Sequence, residues 1–540
     1  MTAAIAGSHG IDGPAPDEEL DLLIVPGMAV SARAPGLVAC GDGRVERGGT
    51  AVVHGVTERA EGIVGNGGVV LRRDAIGMRP LFYAVSSDGN RIAWASRLTQ
   101  LARLPWVDLS VDWDTAADRM AARFSHPERT WFTGIRELPA GHRLEWHPGR
   151  TQMTQEWTPE RFLWDGGKGP REPEAEFAAR LVEATGRRCR DDSSVLLSGG
   201  LDSPAVAAAA VRAGFRPKTV SSVFPRFPSV DETDRILAVR ESLGLTGDLI
   251  EVSHPGAEEL DAELDLHGQP HLAVNIGHLS GLLAAAADLG HRRFLDGHDG
   301  DGALGAMNRL SPLLLRRPGL AIDALSWSIV GGWRRRDTLR SWAGDAAPPW
   351  MRRLARVGRG PAPDPLAHLR WLGPDILGRV RTGRSVADWR AAQLRGVGPM
   401  LAHTLVTFAL VADAAGVELA HPFADRELLE FLLGLPPEAK HLRGRWKGLV
   451  REGFPELPAA VRDQTGKTAF DAAVAAAHPL SRMAIEVVDP PVRLPGVDYD
   501  LLAARMAGGG AYTIGDVVFL RRLALTHRFL TRQCCTAVTA

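Results

Sequence analysis

Cysteine is scarce in this chain, with four in 540 residues: Cys40, Cys189, Cys534 and Cys535. Their spacing matches neither a metal-ligand pattern nor a disulfide framework, which fits a reducing compartment and leads us to expect a cytoplasmic protein. Net charge is scarce as well. The 63 Lys and Arg nearly cancel the 64 Asp and Glu, and the formal charge of −1 offers no bulk attraction to nucleic acid or an anionic membrane. Long apolar runs are missing. The most apolar long stretch, Met400 to Ala415, is broken by His403 and Asp413, which predicts a buried helix and no membrane span. The opening residues Met1 to Gly7 have no charged segment and no long apolar core, so no signal peptide is expected. A Walker phosphate loop is absent too, because Gly466-Lys467-Thr468 has Val461 where the leading glycine would stand.

A chain of 540 residues exceeds one ordinary core and suggests two or three domains, and 45% hydrophobic with 24% charged residues marks it as globular. One stretch organises the rest: Val195-Leu196-Leu197-Ser198-Gly199-Gly200-Leu201-Asp202-Ser203. It reads as a short apolar strand, a tight turn, and the start of an Ala/Val-rich helix over Pro204 to Ala213. Paired glycines let the backbone approach a ligand closely and take positive φ where needed. A helix N-terminus then favours an anion such as pyrophosphate, Ser198 and Ser203 add hydroxyls, and Asp202 is suited to hold a hard cation against phosphate oxygens.

Residues 1 to about 160 read as mainly β, with short runs such as Val69-Val70-Leu71, Leu81 to Val85 and Ile92 to Ala95 between turn residues. Asp165-Gly166-Gly167-Lys168-Gly169-Pro170 is a linker, which divides the chain at 1–165 and 166–540. Beyond it, helix and strand alternate as in a doubly wound parallel sheet, with strands at Val220 to Phe224, Asp248 to Val252 and Arg293 to Leu295. Helices are expected from Asp231 to about Leu243 and from about Ile276 to Leu289. The strand at Arg293 ends in Asp296-Gly297-His298-Asp299-Gly300-Asp301-Gly302. Such a run suits a calcium loop or an acidic surface turn, but the calcium pattern lacks its twelfth-position glutamate, and the carboxyl end of a strand in an open α/β sheet is where ligands bind. Residues 309–396 are rich in Arg and Trp, including Trp333-Arg334-Arg335-Arg336 and Trp350. They suit solvated helices over packed tryptophans, a nucleic-acid face, or a groove for a flexible peptide.

The Ser-Gly-Gly-x-Asp-Ser turn resembles the pyrophosphate loop of the ATP pyrophosphatases, which activate carboxylates as adenylates. Arg73-Asp74-Ala75-Ile76-Gly77-Met78-Arg79-Pro80-Leu81-Phe82-Tyr83, Trp94-Ala95-Ser96 and Leu138-Pro139-Ala140-Gly141-His142 resemble, in that order, the glutaminase domain of asparagine synthetases. Gly416 to Asp425, Leu435 to Lys440, Arg445 to Arg451, and then Arg462, Lys467 and Phe470 resemble successive synthetase segments. The resemblance implies a fold of two α/β parts. The first is an N-terminal-nucleophile (glutaminase-like) αββα sandwich; the second is a doubly wound ATP-pyrophosphatase domain.

By that resemblance Leu196, Ser198, Gly199, Gly200, Asp202, Ser203, Val223 and Gly297 bind ATP. Asp202 and Asp301 share Mg²⁺, Lys467 reaches the reacting carbonyl, and Glu418 and His298 are catalytic candidates. His298 stands where the family has a glutamate, or β-lactam synthetases a tyrosine; it is either a general base of near-neutral pKa or a spacer in the nucleotide loop. Ala3 stands where the glutaminase keeps its nucleophilic cysteine, no cysteine precedes Cys40, and the Asn-Gly-Glu glutamine-binding turn has no counterpart.

An adenylation site without an ammonia source implies an amine from elsewhere. The enzymes that combine these features are β-lactam synthetases and lasso peptide cyclases. The leading expectation is a lasso-type macrolactam synthetase using ATP and Mg²⁺ on a leaderless core peptide, with a leader-binding protein and a leader peptidase as pathway partners and no nucleic acid. A β-lactam or other small-molecule amide synthetase is the alternative. An asparagine synthetase, a non-catalytic scaffold and a tRNA-modifying enzyme stand further off.

Overall fold

The computed structural model describes residues 4–10, 13–14, 17–24, 30–34, 37–40, 44–46, 50–54, 59–65, 67–252, 258–273, 276–304, 372, 393–394, 396–464, 487–507 and 514–539. Lys467, Phe470, Ala3 and nearly all of the Arg/Trp-rich stretch 309–396 lie outside the described residues.

The first domain stacks two antiparallel sheets. One runs in the order Arg136–Glu137, Phe82–Val85, Arg91–Ala95, Ala4–Gly10, Leu37–Cys40, Val30–Ala34, with Gly13–Pro14 paired to Ala4–Gly10. The other runs Arg150–Gln155, His142–His147, Gly68–Arg73, Arg59–Gly65, Thr50–His54, Arg44–Glu46. Alternation along the strands sorts the side chains between faces. Ile5, Leu37, Tyr83, Ile92 and Trp94 of the first sheet meet Val69, Leu71, Leu144 and Trp146 of the second. The odd-out partners Phe82, Ala84, Ala93 and Ala95 face the other way, under a helical layer that includes Leu98, Leu101 and Met120.

The second domain is built on five parallel strands: β1 (Ser193–Leu196), β2 (Lys218–Val223), β3 (Gly247–Glu251), β4 (Arg293–Leu295) and β5 (Glu418–Ala420). Their order in the sheet is β3-β2-β1-β4-β5. Four were expected from apolar runs; β5 has only three residues and carries no strand signal of its own.

Helices α1 (Pro173–Arg188), α2 (Asp202–Arg212) and α3 (Thr233–Leu243) cover one face, and α5 (Ile276–Asp288), after α4 (Glu258–His267), covers the other. Later come α6 (Gly300–Leu304), α7 (Pro399–Ala414), α8 (Arg426–Gly434), α9 (Gly448–Gly453) and α10 (Ile514–Thr539). Burial from both faces shows in β4: Leu295 joins the core with Phe177 and Leu428, while its neighbour Phe294 joins the one with Ile276 and Val411. In α2 every residue from Ala205 to Ala210 is fully buried. Small side chains let it lie close against the sheet and its neighbouring helices.

α7 is the expected buried helix, and among the described residues no helix is long and apolar enough to cross a membrane. α10 was not anticipated. It runs along α4, where Arg528 pairs with Asp261 at 2.5 Å, and packs on the first domain, where Phe529 sets its ring edge-on to Trp131 at 5.5 Å and to Phe132 at 5.4 Å.

Candidate adenylation site

The chain leaves β1 towards β2 and β3 on one side, then returns to add β4 and β5 on the other. The carboxyl ends of β1 and β4 therefore flank the point where strand order reverses, the place where such sheets open a crevice. Both motifs singled out from the sequence end there. Leu196 and Val223 close β1 and β2 at the same edge.

After Leu197 the turn passes through Ser198–Leu201, and α2 begins at Asp202, two residues earlier than its apolar pattern suggests. The turn is braced from within. Ser198 N–H donates to Ser203 Oγ at 2.9 Å, the two hydroxyls lie 2.9 Å apart, and Gly200 N–H donates to Ser198 Oγ at 3.3 Å. It is braced from outside by Glu232, which accepts from Gly199 N–H at 2.9 Å and is itself held by Arg235 at 2.8 Å. Positive φ was one expected use of the glycine pair, yet neither Gly199 nor Gly200 adopts it. Space decides instead: a Cβ on Gly199 would lie 2.8 Å from Glu232 Cβ, whereas one on Gly200 meets nothing nearer than Ser198 Oγ at 3.4 Å.

The loop after β4 is pressed against this turn. A Cβ on Gly297 would lie 2.4 Å from the backbone nitrogen of Ser203, and one on Gly300 would lie 2.3 Å from the carboxyl carbon of Asp202. Contact at backbone range brings Asp301, in the first turn of α6, opposite Asp202. Between them stands Lys447, whose Nζ is 2.5 Å from Asp202 Oδ2 and 2.6 Å from Asp301 Oδ1. Its side chain is 3% exposed. Lys447 takes left-handed backbone (φ 53°, ψ 38°) at the start of α9, and its ammonium lies 4.6 Å from the Trp446 ring.

Asp296 and Asp299 add two more carboxyls. Asp296 accepts from the His298 N–H at 3.1 Å, and its Oδ1 is 2.8 Å from His421 Nδ1. Burial opposes its ionisation, but the His421 imidazole and its hydrogen bond, with His298, outweigh burial and hold the group below the usual carboxylate range. Asp299, at φ 69°, is pushed well above that range by burial and then by the charges of Asp202, Asp301 and Asp296.

A base of near-neutral pKa was one of the two readings of His298. Burial lowers the pKa to about 4, against the opposing pull of Asp296, so at pH 7 it is a neutral imidazole and a weaker base than that reading requires. Its ring sits edge-on to Phe408 at 4.7 Å and lies 6.0 Å from His421.

Glu418 is not brought to this cluster. Parallel register sets it beside Arg293 at the amino end of β5, opposite the turn's end of the sheet, and it ion-pairs with Arg293 Nε at 3.0 Å in a largely exposed position. His421, beyond the carboxyl end of β5, is the residue of that segment that reaches the site. Lys447 is the residue that sequence reasoning missed. Its signal was the segment Arg445-Trp446-Lys447-Gly448-Leu449-Val450-Arg451, noticed only as one motif in a series.

Two carboxylates supply hard oxygen donors of the kind Mg²⁺ takes alongside phosphate oxygens, and Lys447 shows that their seat accommodates a cation. Among the described residues, no group of three or more His, Cys, Asp or Glu is arranged to hold a metal by itself.

The asparagine synthase family model matches residues 176–510, more than half of the chain, and the glutamine amidotransferase domain model matches 64–158. A putative glutamine-hydrolysing asparagine synthetase of Mycobacterium bovis and two of Mycobacterium tuberculosis are each 28% identical over 179 residues, 32% of this chain and 27% of theirs. The match thus spans about a quarter of the length of those relatives. Among solved structures, the allosteric regulatory enzyme of purine biosynthesis covers 52% of this chain and 71% of its own at 12% identity and a TM-score of 0.14. The glutamine phosphoribosylpyrophosphate amidotransferase of B. subtilis, complexed with ADP and GMP, covers 52% and 72% at 11% identity and the same TM-score of 0.14. With its amidotransferase-type domain followed by a synthase domain, the chain belongs to the asparagine synthase family.

Proposed function

We propose that this protein is an ATP-dependent carbon–nitrogen ligase that activates a carboxylate as its adenylate, releases pyrophosphate, and joins the acyl group to an amine. The convergence of the Ser198–Ser203 turn, Asp202, Asp301 and Lys447 at the switch point of the sheet carries this reading. The start of α2 offers its N-terminal end, and Ser198 and Ser203 their hydroxyls, to the phosphates. Asp202 and Asp301 would hold Mg²⁺, which when bound neutralises phosphate charge. Lys447 supplies a cation where negative charge builds, worth several kcal/mol in a site closed to water. His298, neutral at pH 7, is available as a hydrogen-bonding group beside the reacting centre.

The finer reading is macrolactam formation. An Asp or Glu side chain of a leaderless core peptide is adenylated, and the peptide's own N-terminal amine displaces AMP to close the lasso ring. What supports it is the missing ammonia source. Ala3 stands at the nucleophile's place, and the strand that follows, Ala4–Gly10, contains no cysteine. A leader-binding protein and a leader peptidase would supply the trimmed peptide.

The test is to incubate the protein with Mg-ATP and the precursor-derived peptide encoded beside its gene, then read the product mass and the nucleotide products. Loss of one water with AMP and pyrophosphate is the expected result, and Asp202→Asn should abolish it. Ring closure of a small β-amino acid without turnover of peptide would move the assignment to β-lactam chemistry. Near-normal turnover by Asp202→Asn would sink the site.

A further inference from the structure

The salt bridge of Lys447 to both Asp202 and Asp301 bears on how the site is loaded, and the inference rests on the reading of those two carboxylates as the metal seat. An Mg²⁺ ion shared by the pair would need oxygen distances of about 2.0–2.1 Å to each. Lys447 Nζ stands 2.5 Å from one and 2.6 Å from the other. Ammonium and metal cannot occupy that point together.

The seat itself has little freedom. Asp202 opens α2, with its carboxyl against Gly300 and its Cβ against Gly297, where added methyls would come within 2.3 Å and 2.9 Å. Asp301 is held in the first turn of α6. The lysine backbone is pinned as well, since its carbonyl accepts from Val450 N–H at 3.0 Å and Arg451 N–H at 3.2 Å. What remains mobile is the four-carbon stem of Lys447, which carries a compact charge able to turn to another anion.

We propose that Lys447 is a stand-in cation that keeps the Asp202–Asp301 seat closed to divalent metal until a nucleotide arrives. Triphosphate oxygens then give the ammonium another partner, Nζ leaves the carboxylates for the phosphates, and the metal enters with the nucleotide. The single positive charge stays in the site throughout, so the acidic cluster is never left without a counter-charge. No covalent step is involved.

The test follows binding of Mn²⁺, a paramagnetic substitute for Mg²⁺, by electron paramagnetic resonance on the full chain, with and without α,β-methylene-ATP. The wild type should bind Mn²⁺ at least about tenfold more tightly with the analogue than without it, as expected for removal of a competing charge from the seat. Lys447→Gln should raise nucleotide-free Mn²⁺ affinity by a similar factor and shrink the gain from the analogue. Lys447→Arg, which keeps the charge, should stay close to the wild type. Equal Mn²⁺ affinity in the two wild-type arms overturns the stand-in role without recourse to any variant. So does a folded Lys447→Gln protein whose nucleotide-free affinity is unchanged or lower. Failure of the seat reads differently: with the analogue present, Mn²⁺ either does not bind or binds equally well to Asp202→Asn.

Discussion

Four glycines at the site look alike in sequence but should respond differently to a methyl group. On Gly297 the new Cβ would lie 2.4 Å from Ser203 N, and on Gly300 it would lie 2.3 Å from Asp202 Cγ. Non-bonded carbon contacts need about 3.5 Å, so the loop and α2 must part by about 1 Å. Overpacking of that kind costs about 1–3 kcal/mol of stability, and a shift of about 1 Å at reacting groups costs about 100-fold in rate. On Gly199 the methyl would meet Glu232 Cβ at 2.8 Å, which pushes the turn off its outer brace. On Gly200 the nearest atom is Ser198 Oγ at 3.4 Å, an ordinary contact.

Gly200→Ala should therefore melt within about 1 °C of the wild type, as tolerated substitutions do, while Gly199→Ala, Gly297→Ala and Gly300→Ala melt several degrees lower. If the turn cradles phosphates, Gly200→Ala should still lose about tenfold or more in affinity for a fluorescent ATP analogue, because its methyl would fill the space a phosphate needs. Thermal melting and analogue titration on the four variants check this. A Gly200→Ala protein that melts as low as Gly297→Ala would refute the packing argument. One that binds nucleotide like the wild type would refute the phosphate assignment.

Two further outcomes are expected. Asp425 is 2% exposed, pairs with Arg188 at 2.8 Å and Arg187 at 2.9 Å, and caps α8 through the N–H groups of Glu427 and Leu428. Asp425→Ala removes a buried carboxylate that two guanidinium groups share, together with the cap of α8, and should cost about 3–5 kcal/mol in urea unfolding, and a loss under about 1 kcal/mol would contradict it. The second outcome concerns pH. Burial holds His267, His271 and His403 well below 6.5, and His298 and His441 at about 4. An unfolded chain takes up these protons near pH 6.5 and the folded one does not, so their contribution is fully present above about pH 6.5 and lost as pH falls below it. Each group then removes up to about 1.4 kcal/mol per pH unit. Urea midpoints that stay flat from pH 7 to 5 would refute the burial of these imidazoles.

The first half of the site was legible because it is local. The apolar run at Val195, the Ser-Gly-Gly break and the Ala-rich helix lie within a few turns of chain, and β4 occupies the same residues, Arg293 to Leu295, that its pattern marked out. The Asp/Gly run after β4 likewise announced a loop at a carboxyl end. Glu418 misled because its segment was read as a motif, whereas strand register decides which end of the sheet each of its residues reaches; His421 reaches the site and Glu418 does not. Of the two readings of His298, the near-neutral base gives way for a similar reason, since desolvation depends on what packs around the ring, here Phe408, and it outweighs the opposing pull of Asp296.

By itself, then, the sequence determined the mainly β first part, the alternating strand and helix of the second, the Ser-Gly-Gly turn and the acidic loop, because hydrophobic periodicity and glycine breaks act over a few residues. Only the tertiary structure decided which cation faces Asp202, what α10 covers, and which end of β5 faces the acidic loop. Lys447 lies 245 residues from Asp202 along the chain. No short-range pattern encodes that pairing. It follows from the close approach of two glycine-bearing loops and from a left-handed residue at the head of α9, which together set an ammonium between two carboxylates.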